Sequence, residues 1–275
     1  MKIQFLGTAA AEGIPAIFCN CPACREARTL GGKNIRTRCQ TLINDDLLID
    51  LNADTYSHFL ANNIQGHKIK YLLITHSHMD HCYPDELAMR RSGPHLFAHD
   101  MEVPVLQVFG GKGTMNKFQA QLDPLPDVTV QYMELFQPVQ MGDYRVTALP
   151  ARHYPGDDAR IYLIQGDKTI LYAHDSGYFL DEVFDYLQKE KIRLDMITLD
   201  CTCVYADVSD NGNHMGLGNN ARVLQRLESI GVVHEKTRKV VNHFSHNGNP
   251  LHEPLVAHVA PLGYAVAYDG MCMEL

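Results

Sequence analysis

Four side chains that bind metal ions well stand within six residues of one another in Thr75-His76-Ser77-His78-Met79-Asp80-His81. Three imidazoles and a carboxylate form a donor set suited to zinc, iron or manganese. The run follows Tyr71–Thr75, a short β-branched and apolar stretch of the kind a buried strand uses. A sheet edge can therefore hold the donors rigidly against a cleft. In an extended chain, side chains two apart point the same way, which lets His76 and His78 share one ion. Asp80 and His81, past the turn, can then face a second ion. A polar loop that happens to be rich in histidine rarely assembles four ligand types at this spacing.

Cys19-Asn20-Cys21-Pro22-Ala23-Cys24 puts three thiols in six residues. One disulfide would leave a thiol unpaired, and a reducing cytosol would not keep the bond. Three thiolates plus one more donor would instead satisfy a tetrahedral structural zinc, although the run itself does not reveal the fourth ligand. Cys39, Cys82, Cys201, Cys203 and Cys272 are scattered, and most read as small core residues.

The H-x-H-x-D-H spacing of residues 76–81 resembles the metallo-β-lactamase superfamily, whose motif it reproduces without a substitution. That resemblance implies an α/β (α+β) fold, the αββα sandwich of two mixed sheets flanked by helices. It also implies a later His, a later Asp and a final His as further ligands, each just beyond a strand. His153 follows the strand ending at Leu149, Asp175 follows Leu171-Tyr172-Ala173-His174, and His243 follows Val240-Val241-Asn242. Carried over, His76, His78 and His153 hold one ion, Asp80, His81 and His243 the other, and Asp175 bridges them. His174 competes for the bridge, but a carboxylate is preferred because a bridge must contact two cations. Asp50, closing Leu48-Ile49-Asp50, matches an acid that the family places behind the ligands to orient them.

The stretch Gly7-Thr8-Ala9-Ala10-Ala11-Glu12-Gly13-Ile14-Pro15, followed by C-x-C-x-x-C, narrows the resemblance. It is similar to the phosphodiesterases accessory to carbon–phosphorus lyase in phosphonate metabolism, which open phosphoribosyl 1,2-cyclic phosphate. A family of pyrroloquinoline-quinone biosynthesis proteins shares the opening. His243-Phe244-Ser245-His246 matches the H-x-S-H of the phosphodiesterases, which makes His246 the fourth zinc ligand beside Cys19, Cys21 and Cys24. Asp200-Cys201 and Asn213-His214 match locally as well, and the corresponding histidine is held to act at the substrate phosphate. His214 continues into Met215-Gly216-Leu217 without the acidic residue expected there, a departure at the substrate end. By this resemblance the chain is an enzyme, a phosphoric diester hydrolase acting on a small anionic, cyclic phosphodiester. A metal-bound hydroxide would attack phosphorus, Asp80 and Asp175 would hold the ions, and His214 would protonate the departing alkoxide. The cofactors implied are two divalent ions (Mn or Zn, or Fe) and one structural Zn.

The elements that must position these side chains are partly legible. No repeat, low-complexity tract or linker interrupts the 275 residues, so the chain 1–275 reads as a single domain with a cysteine knuckle at 19–24. Ile3–Leu6, Gln40–Ile43, Leu47–Asp50, Arg145–Leu149, Ile161–Gln165, Thr169–Ala173, Met196–Leu199 and Lys239–Asn242 read as strands. Helices are expected at 54–62 with Asp54 as N-cap, and at 179–190, 218–230 and 253–260. Residues 101–142 are hardest to read: Gly110-Gly111-Lys112-Gly113 looks mobile, and Pro124 and Pro126 break regular elements. The pattern alone also allows a doubly wound sheet.

Composition narrows the partners. Hydrophobic residues make up 45% and charged residues 20%, as in a chain that buries a real core. No apolar run spans a bilayer and the N-terminus lacks a signal-peptide core, so the expected location is the cytoplasm, with no membrane partner. A net charge of −8 disfavours nucleic acid. A tRNA 3′-processing nuclease would need a basic, Gly-rich arm, and Gly110–Lys117 carries only Lys112 and Lys117. A lactonase or thioesterase remains an alternative, because the same nucleophile attacks carbonyl carbon. So does a noncatalytic quinone-biosynthesis accessory, although such proteins often lose ligands that are all present here. A redox diiron role would place Glu where His78 stands. Homodimerisation is left open by the sequence.

Overall fold

The structure, a computed structural model, describes residues 1–93, 95–99, 104–154, 156 and 158–275. Residues 101–103 of the hard-to-read stretch lie outside the described residues. One sheet contains β1 (Lys2–Gly7), β2 (Gln40–Ile43), β3 (Leu47–Ile49), β4 (Tyr71–Leu73), β5 (Leu106–Gly110), β6 (Val128–Tyr132) and β14 (Met271–Glu274). The other contains β7 (Pro138–Met141), β8 (Tyr144–Pro150), β9 (Arg160–Gln165), β10 (Thr169–Ala173), β11 (Met196–Asp200), β12 (Arg238–Asn242) and β13 (Tyr264–Val266). Helices α1 (Pro22–Leu30), α2 (Thr55–Ala61), α3 (Lys112–Gln121), α4 (Asp181–Lys189), α5 (Leu217–Ser229) and α6 (His252–Val259) complete it.

Both faces of each sheet are covered, which is why the central strands read as continuous apolar runs rather than alternating ones. Ile3, Phe5, Ile43 and Leu73 of the first sheet meet Val146, Tyr162, Ile170 and Tyr172 of the second. Leu42, Leu48, Leu72 and Val108 turn outward onto Phe118 of α3 and Phe59 of α2. Leu163, Leu171, Ile197 and Val241 turn outward onto Val183 of α4, Val223 of α5 and Leu255 of α6. This is the αββα sandwich of the metallo-β-lactamase fold, not the doubly wound alternative.

The sheets share one pairing pattern. In the order β14-β1-β2-β3-β4-β5-β6, three antiparallel pairings are followed by three parallel ones. The order β7-β8-β9-β10-β11-β12-β13 repeats that sequence of pairings. No internal repeat is visible in the sequence, because different residues satisfy the same pattern.

Two local expectations are corrected. Asp54 precedes α2, but its carboxylate does not cap the helix; it accepts from Arg38 N and Nη1 at 3.0 Å instead. Gly110–Gly113 is not a mobile loop: Gly110 ends β5, and Lys112 begins α3. Both glycines are required by close approaches. A Cβ on Gly110 would lie 2.8 Å from Thr114, and one on Gly111 would collide with the Asp158 carboxylate.

Candidate metal centre

The ligand-type residues leave the C-terminal ends of strands from both sheets. His76–His81 follow β4, His153 follows β8, Asp175 follows β10 and His243 follows β12. Asp175 and His243 adopt left-handed backbone, at φ 47° and 61°, as does Asp50 after β3, at φ 65°. Such conformations cost a non-glycine residue about 1–3 kcal/mol, so the surrounding contacts must enforce them.

The side chains converge in two groups. His76 Nε2 lies 2.9 Å from His78 Nδ1, and His153 Nε2 lies 3.4 Å from the same atom. His81 Nε2 lies 3.1 Å from Asp80 Oδ2 and 2.6 Å from Asp175 Oδ2. His243 Nε2 is 3.0 Å from Asp175 Oδ2. Asp175 also faces the first group, 3.9 Å from both His76 Nε2 and His153 Nε2. The carboxylate therefore stands between the groups, where a bridge would have to be. The buried Nε2 atoms of His81 and His243 make no hydrogen bond, although oxygens lie near them. Donors aimed at a common point rather than at each other fit a cation held between them.

Protonation energetics point the same way. Burial pushes His76 well below, and His153 below, the usual imidazole range, leaving the neutral rings a metal needs. Burial also opposes a charge on His81 and His243, yet the carboxylates outweigh it: His81 is held well above its ordinary range by Asp80, and His243 rises to about 10 beside Asp175. Burial works against ionised Asp175 as well, and the positive charge of His243 and His81 overcomes it, holding that carboxyl well below its usual range.

A second layer fixes the rings. Asp50 Oδ2 sits 2.7 Å from His81 Nδ1, and its other oxygen accepts from Thr75 N at 2.8 Å. Thr202 Oγ1 sits 2.8 Å from His243 Nδ1. Occupying one ring nitrogen sets the tautomer and aims the other at the centre. His174, the competitor for the bridge, points away from the cluster. It is buried against Cys39 Sγ at 3.3 Å and Asn242 Nδ2 at 3.4 Å.

His214 lines the same cleft of about 310 Å³ as His78, Asp80, His153, Asp175 and His243. Its Nδ1 is 3.1 Å from Asp200 Oδ2 and 3.4 Å from Asp175 Oδ1. Burial opposes its charge, but Asp200 prevails and raises its pKa. Sequence reasoning noted Asp200 only as a local match. The structure makes it the fully buried carboxylate that also approaches His243 Nδ1 at 3.4 Å and accepts from Thr202 Oγ1 at 3.1 Å. Glu12 and Ser245 also line the cleft; they lie inside the two matched stretches, but nothing in the sequence marked them as cleft residues, and Tyr154, which lines it too, belongs to no motif.

The stretch that was hardest to read braces the ligand loops. Asp158, in the loop bearing His153, accepts a 2.5 Å hydrogen bond from Lys112 N at the start of α3. Lys117 Nζ donates to Ser77 O at 2.8 Å, between His76 and His78.

His246 Nδ1 lies 3.6, 3.4 and 3.5 Å from the sulfurs of Cys19, Cys21 and Cys24. Four donors around zinc, with bonds of about 2.3 Å to sulfur and 2.0–2.1 Å to nitrogen, stand about 3.5 Å apart at tetrahedral angles. The residues therefore fit that ion. Its hydrogen bond to His246 lowers the Cys21 thiol to about 6, while burial raises Cys24 to about 11. Cys39, Cys82 and Cys201 are buried as small core residues; Cys203 is half-buried and Cys272 exposed.

Comparison with known proteins agrees with this architecture. Coenzyme PQQ synthesis protein B of Acinetobacter baumannii is 26% identical, with all of both chains covered. A diphosphatase of the PhnP family superposes with a TM-score of 0.76 at 20% identity, over 100% of this chain and 98% of that one. Zn²⁺-bound PqqB from Methylobacterium extorquens gives 0.75 at 18%, with all of both chains covered. The profile of the Beta-lactamase superfamily domain matches residues 47–244, a span that holds every residue of the His/Asp cluster and excludes the cysteine knuckle. The chain belongs to that superfamily.

Proposed function

We propose that this protein is a metal-dependent phosphodiesterase acting on a small, cyclic sugar phosphodiester, with phosphoribosyl 1,2-cyclic phosphate the first natural compound to assay. The observation that carries the reading is the convergence of all seven ligand-type groups into two adjoining clusters, five of them lining one small cleft, with His214 held by a buried carboxylate at its side. In this reading His76, His78 and His153 take one divalent ion and Asp80, His81 and His243 the other, with Asp175 between them. Cys19, Cys21, Cys24 and His246 take a structural zinc. When bound, the paired ions supply Lewis acidity, lowering the pKa of water and neutralising charge on phosphoryl oxygens. Asp200 holds His214 Nδ1, which leaves Nε2 to carry a proton to the departing alkoxide. No Lys or Arg among the described residues lines the cleft, which favours a singly charged diester over a polyphosphate. Lys117 and the glycines of residues 110–113 are committed to strand, helix and Ser77, so no basic arm is available there for RNA. The final strand β14 returns to pair with β1, which supports reading residues 1–275 as one domain.

A second reading, participation in PQQ synthesis, is favoured by the full-length similarity to PQQ synthesis protein B. Metal counting on protein purified without chelator, with assays of a chromogenic phosphodiester and a lactone, separates the two. About three metals per chain, with diester hydrolysis that chelator removes, is the expected result. One tight metal and no hydrolysis, even after manganese or zinc is added, would favour the second reading. Turnover of the lactone alone would move the chemistry to carbonyl carbon.

A further inference from the structure

One wall of the cleft has no part in holding ions or moving protons. Ala10, Ala11 and Glu12 line it together with Ser245 and Asn247. Glu12 Oε1 accepts a 2.6 Å hydrogen bond from Ser245 Oγ. The same oxygen is 3.7 Å from His246 Nε2, beyond hydrogen-bond reach, and the side chain keeps 31% of its surface exposed. The wall is fixed to the loop after β12, because Ala10 N donates to Phe244 O at 2.9 Å and Phe244 N to Thr8 O at 3.0 Å. A group resting on it would be held in register with His243.

A carboxylate beside a site for an anionic phosphate is a liability unless something neutral lies between them, since like charges repel in a small cleft. Glu12 offers about four lone-pair sites and Ser245 uses one. Neutral hydroxyl donors can satisfy the rest, and hydrogen bonds to an ionised acceptor are the strong ones. Ser245 Oγ donates to Glu12 and accepts from Asn247 N at 3.2 Å, so it retains capacity for one more hydroxyl.

We infer that Glu12 and Ser245 form a hydroxyl-binding wall that selects phosphate esters whose organic group is a sugar or another polyol. The inference rests on the phosphodiesterase reading for the phosphate and the sugar, and adds the two residues that would recognise the sugar's hydroxyls. Ribose 5-phosphate and methyl phosphate, titrated into the metal-loaded protein, are the first probes, because they differ only in the hydroxyl-bearing part. The native protein is expected to bind ribose 5-phosphate about tenfold more tightly or better. Glu12→Ala should erase most of that preference, weakening ribose 5-phosphate while methyl phosphate tightens as the like charge leaves. Metals per chain are counted in each variant, because Glu12 lies near His246. If Glu12→Ala loses metal, Glu12→Gln decides instead: a several-fold loss of preference is expected, and no loss overturns the inference. Equal affinities in the native protein, or an undiminished preference in Glu12→Ala at full metal content, also overturn it. Turnover of p-nitrophenyl diesters of ribose and methanol then tests the reading beneath it. If neither is hydrolysed while the binding preference stands, the phosphodiesterase falls and the wall remains.

Discussion

The His/Asp cluster draws its donors from four loops on two sheets, whereas the cysteine knuckle takes three of its four from one six-residue run. The first is buried, and fully buried carboxylates behind it hold its rings. In the second, Cys19 and Cys21 are half-exposed and Cys24 is buried, and besides His246 Nδ1 the sulfurs meet nearby backbone: Cys19 accepts from Cys21 N and Cys21 from Cys24 N, both at 3.4 Å. Long-range convergence makes the first centre a product of the finished fold. Local spacing makes the second a clip, which needs only His246 from afar. The two nevertheless share a loop, since His243 and His246 are three positions apart. Damage to either should therefore be separable in metal content and partly coupled in function.

The largest separation is expected from Asp175→Ala, which removes the carboxylate between the two groups. Hydrolysis should fall by about 10³-fold or more, by analogy with loss of a principal electrostatic contact. Metals per chain should drop to about one, the survivor being the cysteine-bound ion. If the cysteine ion left as well, the two centres would form one cooperative unit and the contrast would fail.

Asp200→Asn probes the layer behind the donors. Losing such a partner typically costs about 10–100-fold in activity or metal affinity. Here the loss should appear in kcat and in the basic limb that His214 sets as proton donor, because Asp200 prevails over burial to raise that histidine. Asn cannot supply the charge, so the His214 limb should move to lower pH. An unchanged pH profile would remove His214 from proton transfer.

How much of this the sequence disclosed differs between the two regions for a physical reason. Residues 76–81 and 19–24 are legible because their donors are adjacent in the chain. His153, Asp175 and His243 are legible only through family order, since nothing local distinguishes a histidine after a strand from any other. Asp200 is harder still, because its contacts with His214 and His243 exist only once β11, β12 and the loop before α5 are packed. The glycines of residues 110–113 misled for a related reason. They are small because Thr114, Asp158 and Ser77 come close to Gly110, Gly111 and Gly113 in turn, not because the chain is loose.

Cys21→Ser should show the reverse of Asp175→Ala. The knuckle ion is lost while the cluster keeps its metals, and activity falls less than about tenfold by the sharing of one loop. Thermal stability should suffer more. Losing a structural zinc ligand costs several kcal/mol, and about 2–4 °C of Tm follows each kcal/mol in a domain near this size. A drop of about 10 °C in calorimetry is therefore expected, and no change would show the knuckle to be dispensable to the fold.

The smallest effect sharpens the contrast from the side of the chain that joins the knuckle to the sheet. Thr37, on that connection, sits with its Oγ1 2.7 Å from His58 Nε2, and His58 Nδ1 is 2.6 Å from Gln40 Oε1. Burial pushes His58 down to about 4, so the folded protein keeps it neutral. An unfolded chain takes up that proton near 6.5, so between about 6.5 and 4 it binds more protons than the folded one. Stability is then complete above pH 6.5 and is lost as pH falls toward 4, by about 3 kcal/mol at most from this group. His58→Gln should lower stability at pH 7.5 yet flatten its acid dependence in denaturant titrations at pH 7.5 and 5. An equally steep dependence in the variant would move the acid sensitivity to other groups, such as His252, which burial likewise lowers to about 4 beside Arg36.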